Sequence, residues 1–284
     1  MTVGIAAISQ ECRNPKVVLA ADRMITTGQN PQLEYEHTKS KIQIVYDNDV
    51  VSCMGVASGA VSFIEDFFYR LEDKLDDSEP VSVRDIAEKA RDAYTELGQD
   101  TVENQVLSQL GFELSDLSED QEKFDSDVLG AMLEDVAEVQ NEYAQQLGVV
   151  LGGIDGFGGQ IFSIENFDLN PQNTIGYHAV GSGTHPARAA FIRNGYDTKS
   201  DLQEGILNTI EAKHRSEDAR GVGSEMDLAV VTQPSEGEDC CIVLEDDEKT
   251  EWISLYEDVI EAEKEAREDV INRADLEFNT SDQT

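Results

Sequence analysis

Basic residues are scarce in this chain. Lysine and arginine together number 21 against 59 aspartates and glutamates, which leaves a formal net charge of -38. The acidic excess is spread along the whole length rather than gathered in a tail, so the surface repels nucleic-acid phosphates and anionic membranes alike. Neither a nucleic acid nor a membrane is therefore an expected partner. Long hydrophobic runs are missing too: no apolar segment approaches the roughly eighteen residues of a membrane span. The N-terminus lacks the basic flank and apolar stretch of an export signal, and the expected location is cytoplasmic. Cysteines number four, and Cys12, Cys53, Cys240 and Cys241 show no C-x-x-C spacing, so reduced structural thiols are the expectation. His37, His178, His185 and His214 show no metal spacing either. Gly152-Gly153 and Gly156 to Gly159 are not followed by a lysine-serine pair or a helix start, which argues against a phosphate loop. No metal and no cofactor are expected.

What remains is enough for a folded core. In 284 residues, 39% are apolar, and apolar periodic segments recur from Val3 to Val270, which excludes a disordered acidic chain. The charge itself has a physical setting: at molar salt the Debye length falls to about 3 Å and the self-repulsion is screened. The composition points to the cytoplasm of a halophile. The acidic runs Asp73 to Glu79 and Glu245 to Glu248 read as solvated faces.

Two apolar stretches open the chain, Thr2 to Ile8 and Val17 to Asp22, with a polar turn from Ser9 to Lys16 between them; this spacing predicts a β-hairpin. A second pair, Lys41 to Val45 and Val50 to Gly55, flanks Asp47-Asn-Asp, which is turn chemistry. Four strands are expected before the pattern changes. From Ala57 to Gln146 the apolar spacing is helical, with Phe63, Phe67, Phe68 and Leu71 on one face and later Ile86, Ala90 and Leu97. Within it, residues 100–127 form a polar, acidic helical insertion. Strand character returns at Leu147 to Ile154, Gln160 to Ile164 and Gly176 to Val180. Helices follow at Thr184 to Arg193 and Ser200 to Arg215, then strands at Met226 to Val231 and Cys240 to Leu244, then a charged helix at about 251–274. Strands, helices, strands, helices, strands, helix is an α+β layered order, not a βαβ repeat. With no internal repeat or glycine-rich linker, residues 1–284 read as one domain.

The chemistry starts at Thr2. Removal of Met1 would leave a hydroxyl and a free α-amine on one residue, nucleophile and base together, because an α-amine with a pKa near 8 is partly unprotonated at neutral pH. Asp22 ends the second apolar strand and Lys41 opens the third. A lysine paired to an aspartate would set a fixed positive charge beside Thr2 and ease loss of the hydroxyl proton. Asp22-Arg23 also reads as an ordinary turn pair and Lys41 as a solvated strand edge.

At these residues the chain resembles the proteasome β-type subunit family. The segments that carry it are Thr2-Val-Gly-Ile, Val18-Leu-Ala-Ala-Asp-Arg, Lys41-Ile with Cys53-Met-Gly55, Val150-Leu-Gly-Gly-Ile-Asp, Phe162-Ser-Ile and Val180-Gly-Ser-Gly183. The resemblance implies a four-layer αββα sandwich, the N-terminal-nucleophile hydrolase fold. It implies Thr2 as nucleophile, Lys41 as the catalytic lysine, Asp22 as its partner and Gly55 as the oxyanion-hole N–H. Ser182 and Asp218 match the supporting residues near the threonine amine. It implies threonine-type peptidase activity on peptides or unfolded proteins, and self-association into rings.

The chain departs from the pattern twice. Laying Val3-Gly4 on the family's Val-Gly leaves Thr2 short of the nucleophile position, whereas seating Thr2 there lengthens the Ser9 to Lys16 turn. Gly221-Val-Gly stands where Ser-Gly-Gly is usual, and Ser224 is the nearest replacement. Two other readings stay open: a non-catalytic ring or scaffold subunit, and an amidohydrolase for a small amide.

Overall fold

A computed structural model describes residues 2–11, 14–27, 33–36, 40–76, 78–119, 126–237 and 239–279. The chain divides into two compact units, Met1–Val243 and Leu244–Thr284.

The first unit begins with β1 (Val3–Glu11) and β2 (Asn14–Asp22), then β3 (Met24–Thr27), β4 (Leu33–Glu36), β5 (Ile42–Asp47) and β6 (Ser52–Gly59). Six strands thus precede the first helix where four are expected. The two extra ones, β3 and β4, are short and pair only with each other, so they carry too few residues for a period-2 pattern to stand out. The first hairpin also differs from expectation. Its ladder continues through Ser9↔Lys16, Gln10↔Pro15 and Glu11↔Asn14, so the expected eight-residue turn is mostly paired strand. Backbone pairing needs no apolar side chains at an exposed hairpin end, and polarity there is not a loop signal. Cys12 lies outside the described residues.

Helices α1 (Val61–Asp76) and α2 (Val83–Val102) follow. Ser82 caps α2, accepting from the Asp85 N–H at 3.2 Å, and Ile86, Ala90, Ala93, Tyr94 and Leu97 are its buried positions at helical spacing. Past Val102 the chain makes one π-helical stretch (Glu103–Leu107), then α3 (Ser108–Leu110), α4 (Leu114–Glu119) and α5 (Ser126–Gln146). Val102, Val106, Leu107, Met132 and Val136 gather here in a small core of their own. Residues 120–125 of the expected insertion lie outside the described residues.

The remaining elements are β7 (Leu147–Asp155), β8 (Gly158–Glu165), β9 (Asp168–Pro171), β10 (Tyr177–Gly181), α6 (Thr184–Arg193), α7 (Leu202–Ser216), β11 (Met226–Val231) and β12 (Cys241–Val243). The strands form two five-stranded antiparallel sheets, in the orders β10-β1-β2-β11-β12 and β5-β6-β7-β8-β9. Ala6, Ile8, Val17, Leu19 and Ala21 of the first sheet share one apolar cluster with Ile42, Met54, Val56, Val150 and Ile161 of the second. On its other side the second sheet packs on α1, α2 and α5, burying Phe67, Leu71, Tyr94 and Tyr143 with Val149, Leu151 and Phe162. Helices α6 and α7 pack on β1, β2 and β10. The fold is mixed α/β. Central strands covered on both faces explain why Val17 to Asp22 is continuously buried instead of alternating.

The second unit is α8 (Asp246–Asn279), several residues longer at each end than the charge pattern suggests. Asp246, Asp247 and Glu248 occupy its first turn, where acidic side chains complement the positive end of the helix dipole.

Candidate active site

The pairing Gly4↔Ala21 carries the start of β1 alongside the end of β2, and so sets Thr2 beside Asp22. Both are buried, Asp22 completely. A buried carboxylate is costly unless its oxygens are satisfied, and Asp22 is surrounded by donors. The Thr2 hydroxyl donates to Asp22 Oδ1 at 2.7 Å and the Val3 N–H to the same oxygen at 2.9 Å. The Met24 and Gly223 N–H groups donate to Oδ2 at 3.0 and 3.2 Å. Lys41 Nζ completes the set, 3.1 Å from Oδ1.

Lys41 reaches this point from the second sheet, immediately before β5. Its Nζ donates to the Thr2 hydroxyl oxygen and to the Met24 carbonyl as well as to Asp22. Burial pulls the Lys41 pKa below the ordinary lysine value, outweighing the attraction of Asp22 and the weaker pull of Glu36 and Asp227. The Thr2 oxygen thus receives a hydrogen bond from a cation while its own proton faces a carboxylate. The lysine contact lowers the cost of forming an alkoxide at that oxygen, while Asp22 orients the hydroxyl and holds Lys41 beside it.

Ser182 also comes close: its hydroxyl donates to the Thr2 carbonyl at 3.5 Å, a long contact. Beside it, Gly181 pairs with Val3 and has φ +97°. A Cβ there would lie 2.0 Å from the Thr2 carbonyl oxygen and 2.3 Å from Ser58 Oγ, so glycine permits the approach that sets Thr2 in place. Gly55 sits mid-strand in β6, in register with Gln43 and Leu151. Its neighbour Val56 packs on Gly4.

Asp218 is elsewhere. It is exposed, and among the described residues it makes no hydrogen bond or ion pair. The nearby group that does reach the Gly181 to Gly183 loop is Ser216, buried and donating to the Gly183 carbonyl at 3.0 Å. Ser224 is exposed at its side chain, while its carbonyl accepts from Lys213, a lysine only 2% exposed that also pairs with Glu217 at 2.7 Å. Gly223 lies next to Ser224. The 221–224 loop therefore contributes to the site through a backbone N–H, not a serine hydroxyl. Sequence reasoning missed Gly223, Met24 and Val3 because backbone donors carry no residue signature.

Beside Lys41 a cavity of about 560 Å³ opens, lined by Ile25, Tyr35, Val61, Ile64 and Phe68 with Glu65 and Glu72 among its polar groups. Other chemistry-bearing residues fall away from the site. Cys53, Cys240 and Cys241 are buried free thiols, and burial raises the Cys53 and Cys241 pKa values well above the ordinary range. His178 pairs with Glu165 at 3.1 Å, and His37 is outside the described residues. Among the described residues no group of three or more His, Cys, Asp or Glu side chains gathers as a metal site would require. No helix among them is long and apolar enough to cross a membrane.

This fold is shared with two solved structures: Anbu (ancestral beta-subunit) from Yersinia bercovieri, at TM-score 0.60 and 14% identity over 93% of this chain and 96% of that one, and the Anbu (Gly-1) mutant from Hyphomicrobium sp. strain MC1, at TM-score 0.58 and 12% identity over 93% and 97%. No protein-family model and no curated protein sequence matches the chain. The assignment to the proteasome β-type family is thereby corrected. The two structures described above carry the name Anbu, and no family model supports the narrower assignment.

Proposed function

We propose that this chain is a threonine-type amide hydrolase that uses Thr2 as its nucleophile after Met1 is removed. The observation that carries the proposal is the contact of the buried Thr2 hydroxyl with both Asp22 and Lys41. Met1 itself lies outside the described residues. We read the two sheets and their covering helices as a four-layer αββα sandwich. In this reading, residues 1–284 serve one catalytic domain, with 100–127 inserted into it and a C-terminal helix near 251–274.

In the proposed cycle Thr2 Oγ1 attacks the amide carbonyl of a peptide or unfolded protein, and its proton passes to the freed α-amine. Lys41, held by Asp22, supplies positive charge at the oxygen as the proton leaves, and the Gly55 N–H is assigned to the oxyanion. The tetrahedral intermediate collapses to an ester on Thr2, the amine leaves with the proton, and water then releases the acid. Ser182 holds the Thr2 carbonyl in place. Asp218, exposed and without a partner in the cluster, is assigned no step. Self-association into rings belongs to the same proposal, supported by the description of the Yersinia protein as a beta-subunit.

Thr2→Ala is the direct test. It removes one hydroxyl at the head of a strand, and hydrolysis of fluorogenic peptides should vanish while the circular dichroism spectrum and the assembly size are retained. Thr2→Ser should keep part of the rate. Full activity in the alanine variant, or intact Met1 in the mass spectrum of an active preparation, would remove Thr2 from the mechanism. Cleavage of small acyl amides in place of peptides would narrow the activity to an amidohydrolase, and a wild type inert toward both, with Met1 retained, would leave the non-catalytic subunit.

A further inference from the structure

We infer that the cavity beside Lys41 selects a substrate whose acyl-side residue has an apolar stem and a cationic tip, with Glu65 and Glu72 as the selecting groups. The inference rests on the amide hydrolase reading for its catalytic consequence, and on the cavity alone for its binding consequence.

Position comes first. Lys41 contacts the Thr2 hydroxyl and also lines this cavity, so a side chain lying in it belongs to a substrate held next to Thr2, and we assign it to the residue on the acyl side. Shape and chemistry come next. On helix α1, Phe67, Leu71 and Leu75 are buried in the core, whereas Val61, Ile64 and Phe68 line the cavity with Ile25 and Tyr35, Ile64 and Phe68 packing on the core as well. Glu65 and Glu72, at the i+4 and i+11 positions from Val61, both line the cavity. An apolar wall edged by carboxylates matches lysine or arginine, whose methylene stems pack on apolar surface while the charged head reaches a polar partner.

Charge sharpens the choice. The basic side chains near this part of α1 are engaged elsewhere: Arg70 pairs with Asp100 at 2.7 Å and Lys74 with Glu96 at 2.7 Å. Among the described residues Glu65 and Glu72 have no ion-pair partner. The cationic group on the cavity wall, Lys41, is occupied by Asp22, Thr2 and the Met24 carbonyl. An acidic side chain entering here meets two uncompensated carboxylates and a chain of net charge -38. A basic one meets partners.

The experiment uses two readouts in molar KCl. In the first, labelled tripeptides ending in Lys, Arg, Leu or Glu are titrated by fluorescence anisotropy against the full-length Thr2→Ala protein, so that binding is scored without catalysis. In the second, wild-type protein is assayed with fluorogenic peptides that differ only in that residue. Lys and Arg peptides should bind, and be cleaved with a kcat/KM, at least about fivefold above Glu peptides, the scale of a partly screened ion pair. Glu65→Gln with Glu72→Gln should reduce the Lys-to-Leu ratio toward one, and Glu72→Lys should shift preference toward Glu. Both sites are exposed, and unchanged melting temperatures check that the variants fold. Equal binding of Lys and Glu peptides, or a Lys-to-Leu ratio that ignores the double substitution, overturns the inference. Selective binding by the Thr2→Ala protein with no cleavage by wild type would keep the cavity assignment and defeat the hydrolase reading.

Discussion

Five donors converge on Asp22, and one of them, the Thr2 hydroxyl, is the group it would help activate. Because Lys41 is bonded to both Thr2 and Asp22, the three side chains form one unit whose members should not act independently. Lys41→Ala should lower kcat by about 10²-fold or more with little change in KM, since the charge is needed most as the hydroxyl proton leaves. Asp22→Asn should be comparably damaging, and the double variant should cost little more than either alone. Losses that multiply, or a Lys41→Ala effect confined to KM, would remove Lys41 from that role. The pH profile gives a second check. Burial lowers the Lys41 pKa, so its required positive charge is present below that pKa and is lost as pH rises through it. Activity should therefore rise with pH as the Thr2 amine loses its proton, near 8 in an unperturbed chain end. It should then fall at a pH below the ordinary lysine value. An alkaline limb at or above that ordinary value would mean that burial does not govern Lys41.

Strand β1 decides where that unit sits, because it carries Thr2 and is pinned on both sides, by Gly4↔Ala21 and Gly4↔Val180. A one-residue slip would turn every side chain to the opposite face. Gly181 bears on this pinning, and Gly195 serves as its control. Both have positive φ, +97° and +64°, but a Cβ at Gly181 meets the Thr2 carbonyl whereas one at Gly195 meets nothing within 4 Å. Gly195→Ala should cost about 1 kcal/mol in stability, the backbone penalty alone, with activity retained. Gly181→Ala should cost more and depress kcat by displacing Thr2; chemical denaturation and kinetics on the pair would show it. Similar behaviour of the two variants would mean that the close approach does not position the nucleophile.

The long apolar strands and the helices Thr184–Arg193 and Leu202–Ser216 were readable because period and length agree, and the same pattern put Asp22 at a strand end and Lys41 at a strand start. Short β3 and β4 were not readable. Nor was the paired stretch Ser9 to Lys16, because backbone ladders leave no trace in polar side chains. The 221–224 loop looked defective for want of a serine, yet it supplies the Gly223 N–H to Asp22. For Asp218 a motif match fixes neighbours in sequence only, and the turn after α7 leaves that side chain exposed.

At the scale of the whole molecule the dominant quantity is the net charge of -38. Like charges spread over one surface oppose compaction, and they oppose association of two such surfaces still more. The apolar clusters between and beside the sheets favour folding at any ionic strength, whereas the repulsion depends on screening, which shortens from roughly 10 Å at 0.1 M to about 3 Å at 1 M salt. Stability should accordingly rise steeply with KCl from low salt toward molar concentrations. Assembly should follow the same course, with copies associating only once the acidic faces are screened. Sulfate salts, which also strengthen apolar burial by exclusion from the surface, should stabilise more than chloride at equal ionic strength, separating screening from the apolar contribution. Thermal melting and light scattering across a KCl series, repeated in potassium sulfate, would measure both. A melting temperature that does not move between low and molar KCl would show that the acidic surface is already compensated in the folded chain, and the reading of this composition as an adaptation to high salt would fall with it.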